Sequence, residues 1–600
     1  MSTATQIPER SEIADKDKWD LSKLCRDNDE WERLFEEFSA KIEEIEQFQG
    51  TLGESPTRLR ECLELLNEIG MYEERLGYYA HLRMSENAGD SAHQERFARF
   101  MQVATKAETL SSFVTPEIQA IPDETMERFL QSEELADFRV HLNKLLRYKP
   151  HVLSEREERL LAMQEEFNQT PQKSFGALTD VDMDFGTVQT PEGEKALSQS
   201  TYGSLMQHTD RGVRERAFKQ FHGEFEKHKN TITNLYAGSV NLDIYKTRAR
   251  NFPSARAAAL FPDDVPESVY DTLIETVRSN FDTLHRYYDL RRRALGVGKL
   301  HLFDTRVPLV GDVTIHHTYE EAVEKVVTAL EPLGSEYTET LRQGLLGGWV
   351  DRYENKGKRS GAFSAGSYVG DPYILMNFKE DLLRDVFTLA HEGGHSMHTW
   401  YSVRHNPFQH YHYTIFEAEV ASTFNEQLLY KHLLEQTEGD NRAYLVNSHI
   451  DDIVGTLFRQ TMFAEFEKIT HEMVEGGRPL TVDSMRREYR KLLEAYFGDA
   501  VEIDEVADVE GMRIPHFYRA FYVYKYATGI SAAISLADRV LNGGAKEREE
   551  YFQFLKSGGS RFPIQSLQVA GVDMTKSEPI QRAIDLFAER LDELEAYLGV

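Results

Sequence analysis

The stretch LAHEGGHSMH, Leu389 to His398, carries two histidines four residues apart with a glutamate between them, on flanks that read as helix. Residues at that spacing share one helix face, so His391 and His395 point their imidazoles at a common spot while Glu392 projects beside it. This is the HExxH arrangement: two imidazoles bind one zinc ion, and the glutamate takes a proton from a water that the metal acidifies. Gly393 and Gly394 stand inside the same helix, where each costs about 1 kcal/mol relative to alanine. Something beside them needs the space.

The pentapeptide also recurs by chance in long chains, and catalytic zinc usually keeps three protein ligands and one open position. A third ligand is therefore required. IFEAEVASTFNEQLLY, residues 415–430, reads as a second apolar helix with acids at Glu417, Glu419 and Glu426. Glu419 and Glu426 lie seven apart, two turns along one face, so one can bind metal while the other orients a ligand. His398, seven after His391, leaves open a ligand set of His391, His395 and His398. Its plainer reading is a satisfied core or surface histidine, as for His405, His410 and His412. Asp385 reads as an exposed helix acid.

HEGGHSMH followed by Glu419 in the context AEVAST, 28 residues after His391, resembles the zinc site of the thimet-oligopeptidase-like metallopeptidases, specifically the oligoendopeptidase F branch. WDLS (Trp19 to Ser22), KRSGAFSAGSY (Lys358 to Tyr368), PYILMNF (Pro372 to Phe378), RIPHFYRAFYVYKYATG (Arg513 to Gly529) and FLKSGGSRFPIQSLQVAGVDM (Phe554 to Met574) are similar to that branch in the same order. The resemblance implies that His391, His395 and Glu419 bind one zinc ion and that Glu392 is the general base. It also implies that a histidine and tyrosines near the C-terminus hold the tetrahedral intermediate: His516 first, then Tyr524 and Tyr522, with Tyr518 beside the substrate. The fold it implies is mainly α, a two-lobed helical body around a deep central channel with a small β-sheet beside the zinc helix. Short unfolded oligopeptides, cut internally, are the substrates it implies. A glycine commonly precedes the second histidine in this family, so we expect Gly394 to admit a second backbone and Gly393 merely to tolerate being small.

PYILMNF, bounded by Asp371-Pro372 and Lys379-Glu380, reads as a strand. An exposed strand edge beside a zinc helix pairs with an extended peptide through its main chain, which makes Ile374 and Met376 substrate-binding candidates. The glycine-rich Ser360 to Gly370 is expected to be a mobile substrate loop, with Gly366 and Tyr368 at the substrate. SGGS, Ser557 to Ser560, is a second such candidate. Neither carries a phosphate-loop lysine pattern.

Outward from this region the chain reads as amphipathic helix. Trp31, Leu34, Phe35, Phe38, Ile42, Ile45 and Phe48 form one apolar stripe. Ser55 with Pro56 starts a helix that runs, with breaks, past residue 110, and Ser154 with Glu157 makes a capping box. LTDVDMDFGTVQTPEGEKALS alternates at Leu178, Val181, Met183 and Phe185 and turns at Pro191 to Gly193, which predicts a β-hairpin near 178–195. LHLFDTRVPLV reads as a short extended piece. A soft boundary near residue 200 divides an N-terminal helical lobe, 1–200, from a C-terminal helical domain, 201–600, that carries HExxH.

A 600-residue chain exceeds one ordinary core. A net charge of −31 repels a phosphate backbone, so nucleic acid is excluded as a partner. No run approaches eighteen apolar residues, the opening segment has no apolar signal core, and there are two cysteines. These features predict a cytoplasmic protein without a membrane partner. Two function classes stand: a zinc endopeptidase, and a non-catalytic helical binding protein with a vestigial site. Intact Glu392 favours the enzyme, because a binding module needs no base beside its metal ligands. Within enzymes, a dipeptidyl peptidase or carboxypeptidase is the nearer alternative.

Overall fold

Helices carry nearly all of the structure in the computed structural model, which describes residues 7–311 and 316–600. The chain forms two units that interleave along the sequence. The first comprises 1–149, 314–432 and 536–572, and the second comprises 150–313, 433–535 and 573–600. None of these crossings falls at the soft boundary expected near residue 200. Two of them, 432/433 and 535/536, fall inside helices, where local pattern marks no boundary.

In the first unit the expected stripe folds as a helix, Asn28–Lys41, continued by a tighter turn, Ile42–Phe48. It buries Trp31, Leu34, Phe38, Ile42, Ile45 and Phe48. Ser55 caps the helix Pro56–Glu86 by accepting the Arg58 N–H at 3.1 Å. The core these helices share with Ser91–Ser111 extends to Tyr373 and Leu375. Trp19 of WDLS seats its ring edge-on to Tyr373, 6.5 Å between centroids, and donates to Glu86 at 2.7 Å.

Tyr373 and Leu375 belong to a three-stranded sheet of β1 (Val350–Asp351), β2 (Phe363–Ala365) and β3 (Tyr373–Leu375). The order is β1-β3-β2, with β1 parallel and β2 antiparallel to β3; Ser364 pairs with Ile374. Lys358 anchors the strand connection from inside. Its ammonium lies 2.7 Å from Asp351 and donates to the carbonyls of Asp351, Tyr353 and Met376. After the sheet come α1 (Leu383–His405) and α2 (Ile415–Gln436).

The sheet corrects two expectations. PYILMNF is the central strand, with Ile374 and Met376 0% and 1% exposed. Their N–H groups are spent on Trp349 and Asp351, so neither residue is free to bind a peptide. The edges belong instead to β1 and β2, and β2 lies in the segment expected to be a mobile loop. SGGS likewise is a tight turn, Gly558–Ser560, with Gly558 at φ +49 packed against Ser402 and the His410 carbonyl.

The second unit packs Gly439–Ile453 along Glu578–Leu598, and Phe281–Ala294 against Val482–Phe497. Ser154 and Glu157 form the expected capping box. The hairpin lies later than expected: Thr187–Thr190 pairs with Gly193–Ala196, while Leu178–Asp182 prolongs the preceding helix as a π turn. Of LHLFDTRVPLV only Leu300–His301 is strand, paired in parallel with Val501–Glu502. The chain then turns so that buried Asp304 meets Arg211 and Arg214. Among the described residues, no helix is long and apolar enough to cross a membrane.

Candidate active site

Gly394 settles the spacing of α1 and α2. A Cβ there would stand 2.6 Å from both the Ala421 carbonyl oxygen and the Ser422 Cα. The helices therefore touch backbone to backbone at this point, as glycine permits. Gly393 faces only the Leu341 side chain, 3.2 Å from where its Cβ would lie. Asn425 fastens the crossing by donating to the Ala390 carbonyl at 3.2 Å while accepting from Tyr337 at 3.1 Å.

This close approach delivers Glu419 to the two histidines. One ligand atom from each of His391, His395 and Glu419 lies within 4.8 Å of the other two. His391 Nε2 is 3.6 Å from Glu419, and its Nδ1 is 3.1 Å from Glu426 Oε1. His395 turns its other nitrogen to the Ala418 carbonyl. Thus α2 supplies one donor and also fixes both rings, the usual second role of groups around a metal-binding histidine. Two imidazoles and a carboxylate, with their outer nitrogens already engaged, fit a zinc ion. The remaining acid, Glu417, accepts from the Thr414 backbone at 3.2 Å and is 1% exposed.

His398 is not part of this group. It is 1% exposed, stacks on Tyr413 at 3.6 Å, and burial pushes its pKa down to about 3. It is a core histidine. Asp385 is half-buried and accepts the Lys379 N–H at 2.7 Å, which pins the chain entering α1.

The carboxylates around His391 favour positive charge in this site. Burial works against a charge on His391, yet the Glu426 hydrogen bond and the surrounding carboxylates push its pKa up to about 9. Glu392 is raised to about 7 by burial, partly countered by His391. Burial and the neighbouring His391 charge hold His395 well below the ordinary range. Burial also raises Glu419.

His391, Glu392, His395 and Glu419 line a cavity of about 650 Å³. Its wall includes β2 from Phe363 to Ala365, together with Gly366, Glu392 and Tyr413. Gly366 is needed there, because a Cβ would run into Thr399 of α1. Ser364 ties the strand to α1 through Ser396 at 2.9 Å, and its backbone N–H turns to the Glu392 carboxylate. Tyr78 and His81, three apart on Pro56–Glu86, also line the cavity. The sequence reading missed both, since in an amphipathic helix they pass for ordinary packing residues. Tyr368 lies outside the lining: its hydroxyl donates to Asn406 and its ring packs on Phe408 and Tyr411.

In the second unit His516 is exposed, and its ring lies parallel to Tyr522 at 6.3 Å. Tyr526 stands edge-on to both, at 6.0 and 5.4 Å. Tyr518 stacks on Phe175 at 4.6 Å, with its hydroxyl buried and unpartnered. Tyr524 corrects the expectation. It is 1% exposed against Tyr270, on the inward face of Tyr524–Asn542, and is not available to a substrate.

Known proteins place this arrangement. The pattern of peptidase family M3 matches residues 204–586, and that of oligopeptidase F matches residues 117–185. The chain is 40% identical to an oligoendopeptidase F homolog of Borreliella burgdorferi, over 98% of its own length and 99% of that protein. A solved Chlamydophila abortus protein assigned as a peptidase superposes with a TM-score of 0.93 at 34% identity, covering 99% of this chain and 100% of the other. Oligoendopeptidase F from Enterococcus faecium superposes with a TM-score of 0.74 at 34% identity, covering 95% and 99%. A mainly helical metalloendopeptidase is the class that fold and family define. The chain belongs to peptidase family M3, in its oligoendopeptidase F branch.

Proposed function

We propose that this chain hydrolyses internal peptide bonds of short unfolded oligopeptides, using one zinc ion held by His391, His395 and Glu419. The observation that carries the reading is the convergence of these three donors in the cavity that also holds Glu392. When bound, zinc supplies Lewis acidity that acidifies a water and polarises the scissile carbonyl. Glu392 takes the proton of the attacking water and passes it to the leaving amine. The buried, partly desolvated setting of its carboxylate suits proton transfer near neutrality. The outer side of β2 offers main-chain groups to an extended peptide, which binds many sequences with little side-chain preference. His516 and Tyr522 are the donors proposed for the oxyanion.

Both cysteines, Cys25 and Cys62, are free and buried, and burial pushes each thiol up to about 12. Inert thiols suit a reducing compartment, in keeping with a cytoplasmic enzyme. Digestion of an oligopeptide blocked at both ends tests the substrate reading. Two internal fragments from each cut are expected, and an intact blocked peptide beside terminal trimming of its unblocked form would turn the reading to a dipeptidyl peptidase or carboxypeptidase.

A further inference from the structure

A second recess, of about 280 Å³, lies wholly within the second unit. Its wall is charged. Arg306, Arg459 and Arg513 line it against only two carboxylates, Asp451 and Glu510. Both carboxylates are already engaged. Glu510 accepts from Arg459 at 2.7 Å and from Tyr489 at 3.0 Å. Asp451 accepts from Tyr287 at 2.9 Å and Asn447 at 3.0 Å, with Arg291 at 3.9 Å. Nearby Asp304 is taken by Arg211 and Arg214. His222, the remaining titratable group of basic type in the wall, is held neutral by burial, which lowers its pKa to about 4.

Arg306 and Arg513 feel the Glu510 charge but are hydrogen-bonded to no carboxylate among the described residues. Among the described residues Arg306 makes no hydrogen bond or ion pair, and its side chain is exposed where it lines the recess. A guanidinium in that position projects into the recess, and the Arg513 charge bears directly on it. Arg513 has its Nε buried without a partner and rests its guanidinium over Tyr202 and Phe221. A π-helical turn, Val454–Phe458, contributes Val454 and Gly455 to the wall; such turns are frequent at functional sites. Two guanidiniums that line one recess repel each other, and an anion between them relieves that repulsion. In a chain of net charge −31, this pocket is the opposite of its surroundings.

We propose that this recess is a binding site for a small oxyanion, a carboxylate or phosphate group gripped by Arg306 and Arg513. The guanidinium fork pairs bidentately with either group and poorly with a spherical anion. The test is equilibrium dialysis of the zinc-loaded full chain against labelled phosphate, acetate and chloride, with Arg306→Met in parallel. Saturable binding near one oxyanion per chain is expected, at least tenfold weaker in Arg306→Met and at least tenfold weaker for chloride. Preference for phosphate or for acetate then assigns the source. Anion held at the zinc ion would persist in Arg306→Met and so is told apart. Because Arg306 makes no bond, Arg306→Met is expected to melt no lower than wild type in anion-free buffer. The proposal is overturned by no saturable oxyanion binding, by equal binding to wild type and variant, by chloride binding as well as the oxyanions, or by a variant that melts well below wild type in that buffer.

Discussion

Gly394 of α1 lies against the backbone of Ser422 of α2, so closely that a methyl group on it would come 2.6 Å from the Ser422 Cα. The crossing brings Glu419 to His391 and His395. Gly394→Ala is therefore expected to push the helices apart, destabilising by about 1–3 kcal/mol as overpacked cores do and weakening zinc retention. Gly393→Ala meets only the end of Leu341 and is expected to be near neutral in stability. Thermal melts and zinc titration of the two variants check this, and equal behaviour would refute it.

Glu426 holds the far nitrogen of His391 without belonging to the donor triad. Glu426→Gln is expected to lower zinc affinity about 10- to 100-fold while leaving the ligands in place. Activity should return in excess zinc, a rescue that a disrupted fold would not show.

The same contact sets a pH dependence. Metal-free His391 binds a proton with its pKa pushed up to about 9, and binding a metal through Nε2 requires that proton to leave Nε2 while Nδ1–H stays with Glu426. Zinc affinity is therefore expected to rise with pH up to about 9 and to fall by up to about tenfold per unit below it. Glu426→Gln should move this window down toward the ordinary histidine range near pH 6.5. Chelator competition from pH 6 to 9, at about one-unit steps, reads both effects.

Much of this site was legible in the sequence because its chemistry is local. The four-residue spacing of His391 and His395 and the seven-residue spacing of Glu419 and Glu426 each fix a helix face. The helix cost marked Gly393 and Gly394 alike, and only the family resemblance pointed to Gly394 as the place of close approach. What escaped depends on partners far along the chain. PYILMNF has the composition of any buried strand, and only β1 on its other side makes it central rather than an edge. Tyr524 looked like its neighbour Tyr522 until the phase of the helix it begins turned it inward. At 432/433 and 535/536 the two units cross inside helices, where nothing in the local pattern changes.

Phe521 precedes Tyr522 and holds φ at +55, an uncommon value for a bulky residue. Its N–H donates to Glu467 at 3.0 Å, and Glu467 is fully buried. Glu467→Ala leaves that N–H unsatisfied, at an expected cost of about 1–3 kcal/mol, and releases the backbone beside Tyr522. With His516 and Tyr522 as oxyanion donors, kcat is expected to fall while zinc content stays at one per chain. Unchanged kcat in a folded variant would remove this segment from the mechanism.

Glu392→Gln separates chemistry from binding. Turnover is expected to drop by at least about 10²–10⁴-fold, with zinc affinity kept. Retained turnover would leave the site without its base.

The central claim is that His391, His395 and Glu419 share one cation. Anomalous diffraction at the zinc edge from crystals of the metal-loaded enzyme tests it most directly. One peak is expected, about 2.0–2.2 Å from a nitrogen of each histidine and from a Glu419 oxygen. A peak elsewhere, or one with the Glu419 carboxylate out of reach, would contradict the account.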